Sequence, residues 1–177
     1  MIEPLKGILL RLLLDAIHCD RTGQSLYNEK SSTIQGVIQS LVSVENFKKK
    51  NTLETYESLF EFPFLEATGD YYRYHFNMIK LHRNAKETLF NSRQEASRLL
   101  QECTISQYME KVLHRLNEED LRSTKFINPN SHPKVRSECE KRMVADHLVA
   151  IHNECPNMVQ QELQQDLRNA FALLKVR

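Results

Sequence analysis

A long amphipathic stretch, Thr104 to Ile127, places the strongest constraint on the fold. Its apolar residues recur at three- and four-residue spacing with charged residues between them, as a helix with one buried face requires. The apolar members are Tyr108, Met109, Val112, Leu113, Leu116 and Leu121, and the polar ones include Glu110, Lys111, Arg115, Glu118 and Arg122. Thr104 and Gln107 have the spacing of a capping box. Such a helix would be about 35 Å long, so it needs neighbours along its whole apolar side.

Composition favours an all-α fold. The 177 residues are 41% hydrophobic, and their mean hydropathy of -0.52 is typical of a single soluble globular domain. Only 4 Gly and 5 Pro are present and Trp is absent, so few residues suit the tight turns of a sheet protein. The net charge of +1 and the pI near 7.7 indicate neither a nucleic-acid-binding nor a membrane-surface protein.

The spacing of the cysteines and the apolar N-terminal segment indicate in which cellular compartment the protein lies. The four cysteines lie far apart without a CxxC pair, which favours a reducing, intracellular location in the cytoplasm and/or nucleus. The apolar run GILLRLLLDAI is interrupted by Arg11 and Asp15 at helical spacing, and no basic segment precedes it. We therefore expect a core helix at this position, with neither a targeting peptide nor a membrane span.

The same periodicity predicts further helices. Besides 104–127, we expect them near residues 4–19, 32–46, 53–72, 94–103 and 133–155, followed by a last amphipathic piece that Asp166 caps. Gly23 should end the first helix in a left-handed conformation, and Ser131 should cap the helix at 133–155. Pro63 should kink the third helix or mark a new start beside it, and Pro156 should end or kink the fifth.

Each predicted helix has an apolar face and a wet face. In the third helix the predicted buried residues are Leu53, Tyr56, Phe60, Phe64, Ala67 and Tyr71, opposite a solvated row of Glu54, Glu57, Glu61 and Glu66. In the first helix the apolar residues that repeat at three- and four-residue spacing are Leu5, Ile8, Leu9, Leu12, Leu13, Ala16 and Ile17. Apolar residues at the two ends of the chain, Leu5, Leu9, Leu12 and Leu13 and also Phe171 and Leu174, would normally face neighbouring elements, so we expect exposed patches that promote self-association.

Several stretches together resemble the N-terminal stalk of the cullin family, closest to the branch that uses elongin adaptors and von Hippel-Lindau-type receptors. In order, they are MIEPLKGILLRLLLDAI, STIQGVIQSLVSVENFKKK, YESLFEFPFLEATGDYY, QEASRLL, SQYMEKVLHRLNEEDLR and ECEKRMVADHL. The resemblance implies an elongated, all-α solenoid of cullin repeats. Residues 1–163 resemble one five-helix repeat, the second of three, with an insertion at 73–92, and residues 164–177 resemble the start of the next.

Cullins are scaffolds of multi-subunit ubiquitin ligases, so the resemblance implies a scaffold rather than an enzyme. It implies an elongin-type adaptor, a receptor and a RING subunit as partners of the full-length protein. Stretches that match their binding regions, or the neddylation site, are missing from this sequence. No family functional residue therefore has a position here, and we assign no catalytic, cofactor-binding or metal-binding residue.

The insertion at 73–92 has scattered His, Asn and Met and weaker periodicity. If the inserted residues formed a continuous helix, they would rotate the chain about the helix axis by five full turns plus about 200°. This rotation would place Leu99 and Leu100 on nearly the opposite face of the helix from Phe60 and Phe64. We therefore expect it to break the helix, looping out near Asn84 or at 91–92, or to be poorly ordered. It is also typical of a short retained intron translated in frame, which transcript sequencing across this region would test.

Other chemistries were weighed against the scaffold. Lys48, Lys49 and Lys50 could contact phosphate, although a basic triplet beside a helix end is more often solvated. A metal site near Cys139, His147, His152 and Cys155 is conceivable, but in one helix His147 and His152 would lie about 140° apart. No Gly-rich phosphate loop or GxSxG elbow accompanies any nucleophile.

Two functions of different classes therefore stand. The first is a non-catalytic segment of a cullin scaffold that spaces the substrate-receptor end from the RING end. The alternative is a truncated helical interaction protein without ligase activity. Neither requires a cofactor, a nucleic acid or a membrane.

Overall fold

The computed structural model describes residues 3–23, 31–47, 52–84 and 104–175. Every regular element in these ranges is helical, so the predicted all-α fold is confirmed. The α-helices are α1 (Glu3–Arg21), α2 (Ser31–Phe47), α3 (Glu54–Tyr56), α4 (Phe62–Asn84), α5 (Ile105–Phe126), α6 (His132–Met143), α7 (Leu148–Gln160) and α8 (Gln164–Leu174). A π-helical turn, Glu57–Glu61, joins α3 to α4, and 3-10 turns at Pro129–Ser131 and Ala145–His147 precede α6 and α7. None of the helices described is long and apolar enough to cross a membrane.

Local signals in the sequence set several helix ends. The Thr104 amide donates to Gln107 Oε1 at 3.1 Å, and the Gln107 amide donates to Thr104 Oγ1 at 3.3 Å. This reciprocal pair is the predicted capping box of α5. Gly23 follows α1 with φ of 69°, the left-handed conformation expected there. These bonds are formed within a few residues, so the local sequence suffices to predict them.

The chain folds as two compact units. Unit 1 consists of Met1–Thr68 and Glu119–Val135, and within it α2 packs against α3 while α1 contacts the π-helical turn. An aromatic row on one side of α3 and α4 is buried there, as predicted, with the Phe60 and Phe64 rings stacked at a centroid distance of 5.3 Å. Other buried apolar residues of this unit are Leu13, Ala16, Ile17, Ile34, Ile38, Tyr56, Phe126, Ile127 and Val135.

Unit 2 consists of Gly69–Glu118 and Arg136–Arg177, and within it α7 packs against α8. Its buried apolar residues are Tyr72, Tyr108, Met109, Val112, Leu116, Cys139, Met143, Val144, Ile151, Met158, Ala170 and Leu173. Most of the apolar residues predicted for α5 and for the helix after Pro133 are among them. The assignment of residues 1–163 to one repeat and 164–177 to the next stays a prediction.

The single helix predicted at 133–155 is wrong, because it is divided at Val144 to His147. The Tyr108 hydroxyl donates to the Met143 carbonyl at 2.6 Å, and the His147 amide donates to the Val144 carbonyl at 3.1 Å. In a continuous α-helix the His147 amide would instead bond to the Met143 carbonyl. A side chain from α5 bonds to the Met143 carbonyl, and the His147 amide forms the shorter i to i−3 bond of a 3-10 turn.

Three predictions about helix ends need correction. Ser131 does not cap α6, because its hydroxyl bonds to a tyrosine, and Asn128 caps the preceding 3-10 turn by accepting from the Asn130 amide at 3.0 Å. Leu163, not Asp166, is the N-cap of α8, and Asp166 lies in the first turn, where it accepts a hydrogen bond from Ser106. Pro156 does not end its helix, since α7 continues to Gln160.

Two predictions concern the third helix. The chain passes through a π-helical turn immediately before Pro63 and continues directly into the α-helix that begins at Phe62. Phe62 has helical backbone angles, so the helix does not start anew beside the proline, and the kink stays a prediction. The helix then continues to Asn84, beyond the predicted end at residue 72 and into the insertion. The rest of the insertion and the helix predicted at 94–103 lie outside the described residues.

Candidate functional site

A buried ionic cluster in unit 1 joins the ends of α1 and α5. Arg21 Nε donates to Glu119 Oε1 at 2.9 Å, and Arg21 Nη2 donates to Glu119 Oε2 at 3.2 Å and to Thr68 Oγ1 at 2.7 Å. Arg122 Nη1 also donates to Glu119 Oε1, and its Nε donates to Asp20 Oδ2 at 2.7 Å. The side chains of Arg21 and Glu119 are only 5% and 2% exposed, so these bonds are made away from water.

This cluster alternates positive and negative side chains. Two guanidinium groups face two carboxylates, and Lys125 Nζ lies 3.6 Å from Asp20 Oδ1. The Arg21 guanidinium also lies 5.3 Å from the centroid of the Phe64 ring. Every donor and acceptor named here has a partner, so the cluster offers neither an activated nucleophile nor a general base. The cluster links α1, α4 and α5, because Arg21 of α1 donates hydrogen bonds both to Thr68 of α4 and to Glu119 of α5.

The prediction that Arg122 lies on the wet face of α5 is wrong, because Arg122 is only 8% exposed. Arg122 is buried because Asp20 and Glu119 neutralise its charge. Arg21 and Glu119 are buried as charged partners too, so the pattern of apolar residues did not identify them as buried. Leu121, predicted to be buried, is instead 73% exposed, since it lies about 140° around the helix from Leu116. The one available signal was the spacing of Glu119 and Arg122, three residues apart on a helix.

A second polar junction in unit 1 neutralises Glu61. Predicted to be solvated, Glu61 is 1% exposed and accepts a hydrogen bond from Lys134 Nζ at 2.7 Å. Lys134 Nζ also donates to Glu57 Oε1 at 3.3 Å. The bond to the Glu61 carboxylate, and secondarily that to Glu57, raise the pKa of Lys134 above its ordinary value of 10.5. Lys134, whose side chain is 44% exposed, therefore brings its ammonium group from the surface to the buried Glu61 carboxylate.

Tyr56 connects the same region to the 3-10 turn before α6. Its hydroxyl lies 3.1 Å from Ser131 Oγ, and the Asn128 amide donates to it at 3.4 Å. Burial raises the pKa of the Tyr56 hydroxyl, although both hydrogen bonds act in the opposite direction. A neutral phenol with partners on both sides is a structural group rather than a reactive one.

The residues weighed for metal binding are distributed over three elements of unit 2. Cys139 is buried in α6, His147 belongs to the 3-10 turn with its ring 5.4 Å from that of Tyr108, and His152 is exposed on α7. Cys155 Sγ donates to the Ile151 carbonyl at 3.4 Å. Within the described part of the chain no group of three or more metal-ligating side chains converges. Lys48, Lys49 and Lys50 lie outside it.

Exposed apolar side chains occur in both units. Leu12 on α1 is 57% exposed and Phe171 on α8 is 66% exposed, whereas Leu13, predicted to join the same exposed patch, is buried. In unit 2 a groove of about 280 Å³ lies beside α8 and is lined by Ser137, Glu140, Lys141, Val144, Ala145, Leu148, Leu173 and Leu174. The described residues thus include exposed apolar side chains in both units and a groove in unit 2.

Comparison with known proteins identifies the family of this chain. The family model of the cullin alpha solenoid domain matches residues 1–177, the whole chain. The chain belongs to the cullin family. This confirms the family resemblance drawn from the sequence, while the elongin-using branch and the second-repeat position stay predictions.

Individual cullins match over nearly the whole chain. Cullin-1 of Dictyostelium discoideum is 30% identical over 177 residues, which cover 98% of this cullin chain and 20% of the relative. Cullin-2 of Caenorhabditis elegans is 29% identical over 188 residues, covering 99% and 21% respectively. Cullin-3B of Arabidopsis thaliana is 25% identical over 171 residues, covering 94% and 19%. The cullin chain therefore spans about a fifth of the length of these relatives.

Proposed function

We propose that this chain is a non-catalytic scaffold segment of a cullin-RING ubiquitin ligase, acting in ubiquitin-dependent protein degradation. The observation that carries the proposal is the match of the cullin solenoid family over residues 1–177. The structure supports it, since the polar groups of the two junctions in unit 1 are mutually satisfied and none is poised to react. A scaffold needs stiffness and surface, and both are present among the described residues.

Its specific role is to space the receptor end of the ligase from the RING end, as the second repeat of the stalk. A spacer keeps a fixed distance between its two ends only if its helices do not slide past one another. The ionic cluster opposes such sliding of α1 against α5. Arg21 and Glu119 are 98 residues apart in sequence and bonded in the interior, so α1 and α5 share one register. The elongin-type adaptor, the von Hippel-Lindau-type receptor and the RING subunit would bind other parts of the full-length protein.

A segment exchange tests the spacer role. In a full-length cullin relative, the matching fifth would be replaced either by this chain or by a flexible Gly/Ser linker of the same residue count. Ubiquitin transfer to a receptor-bound substrate should persist with this chain and fall strongly with the linker, because a flexible coil does not hold a fixed span. Equal activity of both chimeras would contradict a rigid spacer.

The isolated chain provides the matching negative experiment. As the sole cullin in a reconstituted reaction, it should not stimulate ubiquitin transfer above a reaction without cullin. Clear stimulation would exclude the non-catalytic segment.

The alternative is a truncated helical interaction protein that has left the ligase. Exposed Phe171 and the neighbouring groove favour it, because exposed apolar surface of this kind is typical of sites that bind other proteins. Affinity purification of the endogenous product separates the two proposals: recovery with RING and adaptor subunits supports the scaffold, and their consistent absence supports the alternative.

For either role we propose an intracellular location, in the cytoplasm and/or nucleus. Its support is the isolation of the four cysteines and the near-neutral charge. Fractionation that recovers the protein only from secreted material would contradict it.

A further inference from the structure

Phe62, at the start of α4 in unit 1, is an exposed aromatic side chain. It is 57% exposed, whereas Phe60 and Phe64 on the same helical stretch are buried. Pro63 and Leu65 are half-buried beside it, so the ring belongs to a small apolar patch. Aromatic side chains are enriched where proteins bind one another, which makes Phe62 a candidate anchor for a partner.

The stretch that carries this ring is acidic. Residues 53–72 contain four Glu and one Asp but no Lys, Arg or His, although the whole chain has a net charge of +1. Three of these five carboxylates are already paired, with Lys134 or with Arg73. Within the described residues the other two, Glu54 and Glu66, are exposed and form no salt bridge. They give the surface around the ring an uncompensated negative charge.

The π-helical turn brings Glu54, Phe62 and Glu66 onto one face. In this turn the Phe62 amide donates to the Glu57 carbonyl, five residues back, so the turn holds one residue more than an α-helical turn. A regular α-helix would separate Glu54 from Glu66 by about 120° around its axis, and the extra residue reduces this angle to about 20°. By the same count Phe62 lies within about 40° of both carboxylates. We call these three residues the Phe62 face.

An aromatic ring with a carboxylate one helical turn away suits an arginine. Inside unit 1 the Arg21 guanidinium lies 5.3 Å from the centroid of the Phe64 ring and donates to Glu119. The Phe62 face presents the same two groups to solvent, because Phe62 and Glu66 are four residues apart on a helix. A guanidinium group from outside can therefore stack on the ring and pair with the carboxylate.

We propose that the Phe62 face binds an extended, basic segment of a partner protein. One arginine of the segment contacts Phe62 and Glu66, and a second basic residue pairs with Glu54. The two carboxylates are roughly 17 Å apart along the helix axis, a span that five residues of extended chain cover. Their charge repels phosphate groups, so a nucleic acid or an anionic membrane does not fit. The inference does not depend on a ligase role, because it rests on the surface of unit 1 alone.

Fluorescence anisotropy of the 177-residue protein tests the proposal with three labelled ten-residue peptides built on Ser, Thr and Ala. The spaced-Arg peptide has Arg at its third and eighth positions, the Glu peptide has Glu there, and the adjacent-Arg peptide has both Arg side by side. The spaced-Arg peptide should bind about tenfold more tightly than the Glu peptide, because two attractions become repulsions. It should bind about threefold more tightly than the adjacent-Arg peptide, which reaches only one carboxylate.

Paired variants locate the site. Phe62→Ser should weaken binding of the spaced-Arg peptide by about two- to fivefold, because the cation–π contact is lost. Phe171→Ser removes a similarly exposed ring from unit 2 and should leave the affinity unchanged. Glu66→Gln should abolish the preference for the spaced-Arg over the adjacent-Arg peptide, whereas Glu110→Gln, at an exposed position on α5, should preserve it. Circular dichroism spectra that match the parent protein establish that each variant is folded.

Specific outcomes would overturn the proposal. These are the absence of binding by the spaced-Arg peptide, equal affinity for the spaced-Arg and adjacent-Arg peptides, and equal loss in Phe62→Ser and Phe171→Ser. Self-association of the parent protein that disappears in Phe62→Ser would mean that a second copy of this chain, and not a separate partner, occupies the face.

Discussion

Replacing Glu119 by glutamine is the sharpest test of the ionic cluster in unit 1. The substitution preserves size but removes the negative charge shared by Arg21 and Arg122, whose side chains are 5% and 8% exposed. Asp20 can still pair with Arg122, so the loss falls mainly on the two hydrogen bonds that Arg21 donates to the Glu119 carboxylate. Breaking a buried pair in this way costs about 3 to 5 kcal/mol, since water cannot replace the lost partner.

The neighbouring residue is a matched control. Glu118 accepts a hydrogen bond from Arg115 Nη1 at 2.7 Å on the same helix, but its side chain is 33% exposed and that of Arg115 is 35% exposed. Glu118→Gln removes the same charge from a half-solvated pair, so it should cost only about 0.2 to 1 kcal/mol. The contrast isolates burial as the cause of the larger effect.

Thermal and urea unfolding of the three proteins measure the difference. For a chain of this size, a loss of 3 to 5 kcal/mol corresponds to a fall in Tm of roughly 6 to 20 °C, and Glu118→Gln should lower Tm by no more than about 4 °C. Adding salt to about 1 M should diminish the effect of Glu118→Gln and leave that of Glu119→Gln largely intact, because buried pairs are poorly screened. Equal costs for the two substitutions would refute the argument.

Three further predictions address single contacts. A Cβ on Gly69 would overlap the Glu138 carboxylate, and this overlap should cancel the gain of about 1 kcal/mol that Ala has over Gly in a helix. Gly69→Ala should therefore be nearly neutral in the parent protein and stabilise a Glu138→Ala background by about 1 kcal/mol in urea unfolding. Equal effects in both backgrounds would contradict this. Because the pKa of Lys134 is raised, the contribution of its charge to folding stability is complete below pH 10.5 and is lost as the pH rises through the folded-state pKa. The urea midpoint should therefore fall less steeply with rising alkaline pH in Lys134→Met than in the parent protein. Identical pH profiles would exclude Lys134 as the cause of the fall in stability. Thr104→Ala removes one half of the capping box and should cost about 1 kcal/mol in thermal unfolding, whereas an unchanged Tm would show that the cap contributes nothing.

The sequence alone determined the helical class, most helix positions and the local ends. Periodicity of three and four residues places α1, α2 and α5 within two residues of their observed bounds. The capping box at Thr104 and the left-handed Gly23 follow from contacts between residues close in sequence. The family resemblance likewise came from the order of several helix faces along the chain, which needs no three-dimensional information.

Only the tertiary structure decided which charged residues are buried and where the helix after Pro133 breaks. Glu119 is buried because Arg21, 98 residues away, neutralises it, and Glu61 is buried because Lys134, 73 residues away, does the same. Periodicity predicts that a charged residue is exposed to solvent, because the partner that offsets its desolvation lies on another helix and is not visible in the local sequence. The break at Val144 likewise coincides with a contact distant in sequence: the Met143 carbonyl at the end of α6 accepts a hydrogen bond from Tyr108, 35 residues earlier in the chain.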